Sequence, residues 1–180
     1  MRRAVAAAAG VLVSLALAAA AAGCGAAPPA PGPPPAAARQ PSRAALMVCG
    51  GDVEREVTGA LGTALITPLT GSWVDPRYTC PYVFPGATLA LVVDQTADRP
   101  AAEALFERRR AEAAGATAVD GLGEAAFARA DGSVVVRKDS MLLLVDVAGL
   151  PAGFGTPVRS RANIALTVAT AVMTCWREHA

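Results

Sequence analysis

A chain of 180 residues has room for one ordinary domain rather than two. Its formal charge of +1 argues against nucleic acid as a partner, because phosphate binding needs a basic surface. The 53% hydrophobic content overstates the core, since alanine in the first 38 residues inflates it, and at 4% aromatic the chain has few large packing anchors.

Residues 1–23 have the layout of a signal peptide. Arg2 and Arg3 form a positive start, and Ala4 to Ala22 form an apolar stretch broken only by Gly10 and Ser14. Without these two arginines the mature chain is close to neutral. "AAGC" at 21–24 resembles a bacterial lipobox, with Ala21 where leucine is usual. That resemblance implies that Cys24 is lipidated, becomes the mature N-terminus and fastens the protein to the outer face of the cell membrane. Two other outcomes stay open. Signal-peptidase cleavage at "AAA" or "AAP" would release a soluble protein, and the run could be retained as a membrane helix, although alanine supplies little hydrophobicity for that.

Gly25 to Ala45 is proline, alanine, glycine and a few polar residues, and half of the 14 prolines fall here. Such a segment buries too little surface to offset its ordering entropy, and proline biases it toward an extended form. Fully extended it would reach roughly 65 Å at about 3.1 Å per residue. Residues 24–45 therefore read as a lipidated cysteine with its tether, and 46–180 as a single folded domain.

Within that domain Asp52 is placed to cap a short helix in which Val53, Val57 and Leu61 recur every fourth residue, with Gly62 ending it. "YTCPYVF" and "ATLALVVD" are strand-like runs joined by Pro85-Gly86, a turn pair. "ADRPAAEALFERRRAEAAG" is the clearest helix, with Pro100 in its first turn, Leu105 and Phe106 on its buried side and Gly115 at its end. "GEAAFARADGSVVVRKDSMLLLVDV" predicts three strands with turns at Asp131-Gly132 and Lys138 to Ser140. A last helix begins near Ser160, with Ile164, Val168, Ala171, Val172 and Cys175 on an apolar stripe beside Asn163, Thr167, Thr170 and Thr174. The predicted order is α-β-β-α-β-β-β-α, an α+β fold with a mainly antiparallel sheet of about five strands and helices packed on one face.

With Cys24 set aside, three cysteines remain, so one stays outside any intramolecular bridge. Chain entropy does not choose among the bridges, since loops of ~30 to ~125 residues give roughly 3.5 to 5 kcal/mol. Cys49 with Cys80, or Cys175 with either, all fit. A zinc site lacks convergent ligands, because there is no close cysteine pair and the one histidine, His179, sits next to the terminus. No metal or cofactor is expected.

The remaining chemistry is sparse. Serine or cysteine nucleophiles need an activating base, which His179 is poorly placed to supply. Glu103/Glu107 and Asp52/Glu56, each four apart, read as solvated charge beside Arg55 and the arginine run 108–110. "DGLGE" at 120–124 lacks the third glycine and the strand-then-helix context of a phosphate loop, and "DQTADRP" at 94–100 fails the calcium-loop pattern. Both read as turns or helix entry. Trp73, Tyr78, Tyr82 and Phe84 near the first strands, with Phe154 in a glycine-rich loop, are the candidate ligand or partner surface, against the simpler reading of core packing.

Taken in order, the features form a pattern. A lipobox cysteine and a proline-rich tether precede "VCGGDVEREV", "YTCPYVF", an F-x-x-R helix, "GLGEAAF" and a last helix after a proline-containing loop. This arrangement resembles small secreted actinobacterial lipoproteins that carry a domain of unknown function, whose folds are similar to extracellular sensor domains of bacterial receptor kinases. The resemblance implies an envelope location, an α+β fold and a Cys49–Cys80 disulfide. It implies no activity. The expected protein is a non-enzymatic envelope lipoprotein whose domain binds a small molecule, a wall component or another protein. An envelope hydrolase using Asp or Glu and a structural or chaperone-like accessory protein are the alternatives.

Overall fold

The computed structural model describes residues 40–178; the signal peptide, Cys24, the tether up to residue 39 and His179 lie outside them. Helix α1 (Arg43–Met47) opens the fold, capped by the Ser42 hydroxyl, which accepts from the Ala45 amide. Ala45 is fully buried. The Ser42 amide donates to Gln95 Oε1 at 2.6 Å, and Trp176 Nε1 donates to the Ala44 carbonyl at 2.9 Å. The expected boundary at Leu46 thus falls inside α1, and the folded part reaches back to Ser42. Alanines that look like tether by composition are here small enough to pack closely beneath Trp176.

Helix α2 (Gly51–Leu61) buries Val53, Val57 and Leu61 and ends at Gly62 in the left-handed conformation, as the spacing predicts. Its cap is Gly50 rather than Asp52. Asp52 lies one residue inside the helix and pairs with Arg55, where its charge still suits the positive helix end.

Seven antiparallel strands follow: β1 (Ser72–Val74), β2 (Arg77–Phe84), β3 (Ala87–Gln95), β4 (Thr117–Ala118), β5 (Ala125–Ala128), β6 (Val134–Lys138) and β7 (Met141–Asp146). Their order across the sheet is β1-β2-β3-β7-β6-β5-β4, two meanders joined where β3 pairs with β7 from Ala90↔Asp146 to Gln95↔Met141. A two-stranded ribbon, β8 (Gly153–Phe154) and β9 (Arg159–Ser160), precedes α4 (Arg161–Glu178). The architecture is α+β. The sheet exceeds the expected five strands because β1 and β4 are edge pieces of three and two residues, too short to show alternation.

Helices cover both faces of the sheet, not one. Val134, Val136, Leu143 and Val145 face a core shared with α2 and α4, whereas Val135 and Leu142 face Ala102 and Phe106 of α3 (Arg99–Glu112). The physical reason is the connection itself. The chain leaves β3 in mid-sheet and must reach β4 at the far edge, so α3 crosses the open face. The runs "VVV" and "LLL", apolar at consecutive positions, are those of strands buried on both sides. Phe106 and Phe127 meet edge-on with centroids 5.2 Å apart beneath that helix.

Ion pairs hold α3 in place. Asp94, buried on β3, accepts from Arg77 Nε at 2.7 Å and is ion-paired with Arg109 Nη2 at 2.7 Å. The arginine run at 108–110 is therefore not simply solvated, because its middle member reaches back to the sheet.

Cys49 and Cys80 form a disulfide, with Cα atoms 5.6 Å apart, tying the α1–α2 junction to β2. Cys175 is buried on α4. Beside the bridge the Tyr82 hydroxyl donates to the Val48 carbonyl at 2.5 Å. Burial, reinforced by the charge of Glu54, holds that hydroxyl well above its ordinary pKa, so it remains a donor. No helix among the described residues is long and apolar enough to cross a membrane. The double variant C49A/C80A opens a loop of sequence separation 31 and is expected to lose about 3.5 kcal/mol of stability in urea unfolding.

Candidate functional site

A concavity lies between α4 and the segment 119–124. It encloses about 490 Å³, within the range of small-molecule sites. One wall is a single stripe of α4: Leu166, Thr170, Met173 and Arg177, at helical spacings of four, three and four. The other wall is Val119 to Glu124, with Lys138 from the end of β6.

That second wall is rigid for identifiable reasons. The Val119 amide donates to the Ala126 carbonyl and the Glu124 amide to the Arg137 carbonyl, both at 2.9 Å, so the loop is pinned at both ends. Leu122 is buried and inserts into the larger core. Gly121 and Gly123 both hold positive φ, at 74° and 62°. Gly123 is also pressed on β6, where a Cβ would stand 2.6 Å from the Arg137 carbonyl oxygen. Glu124 bridges two guanidinium groups: Arg137 Nη1 reaches Oε2 at 2.5 Å, and Arg99, at the start of α3, reaches Oε1.

A second charged link adjoins this one. Lys138 Nζ pairs with Asp139 Oδ2 at 2.8 Å, and Arg99 approaches the same carboxylate at 3.6 Å. The hydrogen bond from Lys138, against slight desolvation, holds the Asp139 carboxyl below its usual range. A depressed folded-state pKa means that this link supports the fold above the ordinary aspartate value and fades as the pH falls below about 4.

"DGLGE" is thus a turn, as its sequence suggests, and also one wall of the cavity. What its spacing did not reveal is the partner wall, since the apposition to α4 is tertiary. The threonines of α4 are satisfied locally: Thr167, Thr170 and Thr174 donate to carbonyls four residues earlier. Of these, Thr170 lines the cavity.

The aromatic surface expected from the sequence is not formed. Tyr78, Tyr82 and Phe84 are buried in the larger core, all on the inward side of β2. Trp73 is half-buried on β1 opposite Tyr78, and Phe154 packs on Phe84 with ring centroids 5.5 Å apart. None of the five reaches the cavity. The strand itself carried the signal, because Tyr78, Cys80, Tyr82 and Phe84 alternate and so share one face.

Glu103, Glu107, Asp52 and Glu56 are exposed on their helices. A broader depression of about 690 Å³ beside α2, lined mostly by residues 64–69, is more open to solvent. Among the described residues no group of three His, Cys, Asp or Glu side chains is placed to hold a metal ion.

Comparison with known proteins yields no match: no family model, no curated protein and no solved structure matches this chain.

The two glycines separate backbone conformation from close approach. Gly123→Ala is expected to lose at least about 2 kcal/mol, combining left-handed strain with collision against β6. Gly121→Ala, with open space around its Cβ, is expected to lose about 1 kcal/mol. Equal losses in denaturant unfolding would contradict the pressed geometry at Gly123.

Proposed function

We propose that the protein is an exported lipoprotein, anchored through Cys24 at the outer face of the membrane, whose α+β domain is a non-enzymatic, sensor-like binding module. The observation that carries this reading is the cavity between α4 and residues 119–124, whose walls are fixed before any ligand arrives. Such preorganisation lowers the ordering penalty of binding.

Its chemistry supports binding rather than turnover. Both oxygens of Glu124 are already engaged by arginines, and the Thr170 hydroxyl is committed to the Leu166 carbonyl. Asp120 is the remaining carboxylate on the wall, so a second carboxyl group free to act as acid or base is missing from the lining. That weighs against the hydrolase reading. The large exposed apolar residues among those described, Leu46, Ile66, Val74 and Val158, come from separate segments, which gives the accessory-protein reading little support. The envelope location rests on the leader, the lipobox-like "AAGC", the tether and the disulfide, a bond favoured in oxidising compartments. The sequence pattern of cysteine, tether and "GLGEAAF", which resembles secreted lipoproteins with sensor-type folds, is consistent with it.

Two outcomes test this. Cys24→Ser is expected to shift the protein from the membrane fraction to the soluble one; continued membrane retention would overturn the anchor. Full-length protein extracted from its own membrane is expected to carry a small-molecule adduct in native mass spectrometry. Thr170→Trp, which fills the cavity from an exposed position, is expected to lose the adduct at unchanged melting temperature. An adduct equally retained by Thr170→Trp would overturn the site.

A further inference from the structure

We infer that the ligand of this cavity is an amphiphilic anion: an aliphatic chain bearing a single carboxylate or phosphate head. The inference rests on the binding-module reading above and adds the class of ligand.

The apolar part of the cavity is a strip. Leu166 and Met173 stand on α4, and Val119 and Leu122 face them. Leu166 to Arg177 spans eleven residues of helix, about 16 Å at ~1.5 Å per residue. An elongated apolar body fits such a strip better than a compact one.

The chain path carries two of the cavity's charges toward the same end. Gly132, just before β6, stands against Arg161 and Ala162 at the start of α4, so strand and helix set out from adjacent points. Lys138 ends that strand and Arg177 lies near the end of that helix. Both line the cavity.

The balance of charge there leaves a place for an anion. Glu124 is bracketed by Arg137 and Arg99, and Asp139 is shared by Lys138 and Arg99. With Asp120 added, three carboxylates stand among four cations, Arg99, Arg137, Lys138 and Arg177, among the described side chains. The partner of Arg177 among the described residues is the uncharged hydroxyl of Thr174, at 3.3 Å. A monoanionic head seated between Lys138 and Arg177 would complete the set with charge-assisted hydrogen bonds, while its chain covers Val119 and Leu166, the half-buried apolar residues of the lining, over the already buried Leu122 and Met173.

The test is calorimetric titration of the full chain carrying Cys24→Ser, with four probes below their micelle concentrations: dodecanoate, dodecyl phosphate, dodecyltrimethylammonium and inorganic phosphate. Dodecanoate or dodecyl phosphate is expected to bind at one site, and whichever is tighter identifies the head. Lys138→Gln and Arg177→Gln are each expected to weaken it about fivefold, the size of one partly exposed charge contact. Dodecyltrimethylammonium, with the same chain and opposite charge, is expected to bind at least about tenfold more weakly, and inorganic phosphate is expected not to compete. Equal binding of the cationic probe would overturn the anionic head and leave the cavity standing. Competition by inorganic phosphate would overturn the amphiphile. Unchanged binding to Thr170→Trp would overturn the cavity itself. If Arg177→Gln lowers the melting temperature without altering affinity, Arg177 serves the end of α4 and the assigned head site is wrong.

Discussion

The pairing of β3 with β7 is the constraint on which the rest of the molecule depends. Six residue pairs, Ala90↔Asp146 through Gln95↔Met141, join two separate antiparallel meanders into one sheet. Once they are joined there, the centre of the sheet is apolar on both faces, and each face needs a cover. Helix α3 supplies one by crossing from mid-sheet to the far edge; α2 and α4 supply the other. The seam also gathers the chain's beginning. Gln95, buried at one end of it, accepts from the Ser42 amide, and Thr96 donates its amide to Ser140 across the adjacent turn.

Helix α3 illustrates how charge sets position where apolar area is small. Its fully or nearly buried residues are Ala102 and Phe106. At its first residue Arg99 reaches Glu124, and near its other end Arg109 reaches Asp94. Removing one member of the Asp94 group would strand charge in a shielded place, which is worse than never having built it. These pairs therefore locate the helix more than they stabilise the fold. They also connect it to the cavity, because Glu124 belongs both to the clamp on α3 and to the wall facing α4.

Much of this was legible in local pattern. Val53, Val57 and Leu61 announce α2, Pro85-Gly86 announces the β2–β3 hairpin, and the three strands from Ala125 to Asp146 sit where their turns place them. The Cys49–Cys80 bridge, implied by family likeness, is present. Other features were hidden because their cause is tertiary. Helix α1 consists largely of residues that resemble the tether, and it is held by Gln95, Met141 and Trp176, all more than fifty positions away. The placement of α3 on the second face was foreshadowed by consecutive valines in β6 and leucines in β7, a pattern that one-sided strands do not need. At the site, "DGLGE" stood out by composition, yet the meaning of Gly123 lies in the β6 backbone beneath it and that of Leu122 in the core it enters. The aromatic residues misled because aromatics in an aromatic-poor chain attract notice, whereas their alternate spacing already placed them inward.

On this proposal the domain meets its ligand in the space between α4 and residues 119–124. Amide chemical-shift mapping of the full chain titrated with dodecanoate addresses it most directly. The account predicts that Gly121, Leu122, Gly123, Lys138, Thr170 and Met173 shift together and saturate with one affinity, while residues 64–69 beside α2 stay still. Shifts centred on residues 64–69, with the amides of α4 and the 119–124 segment unmoved, would contradict it.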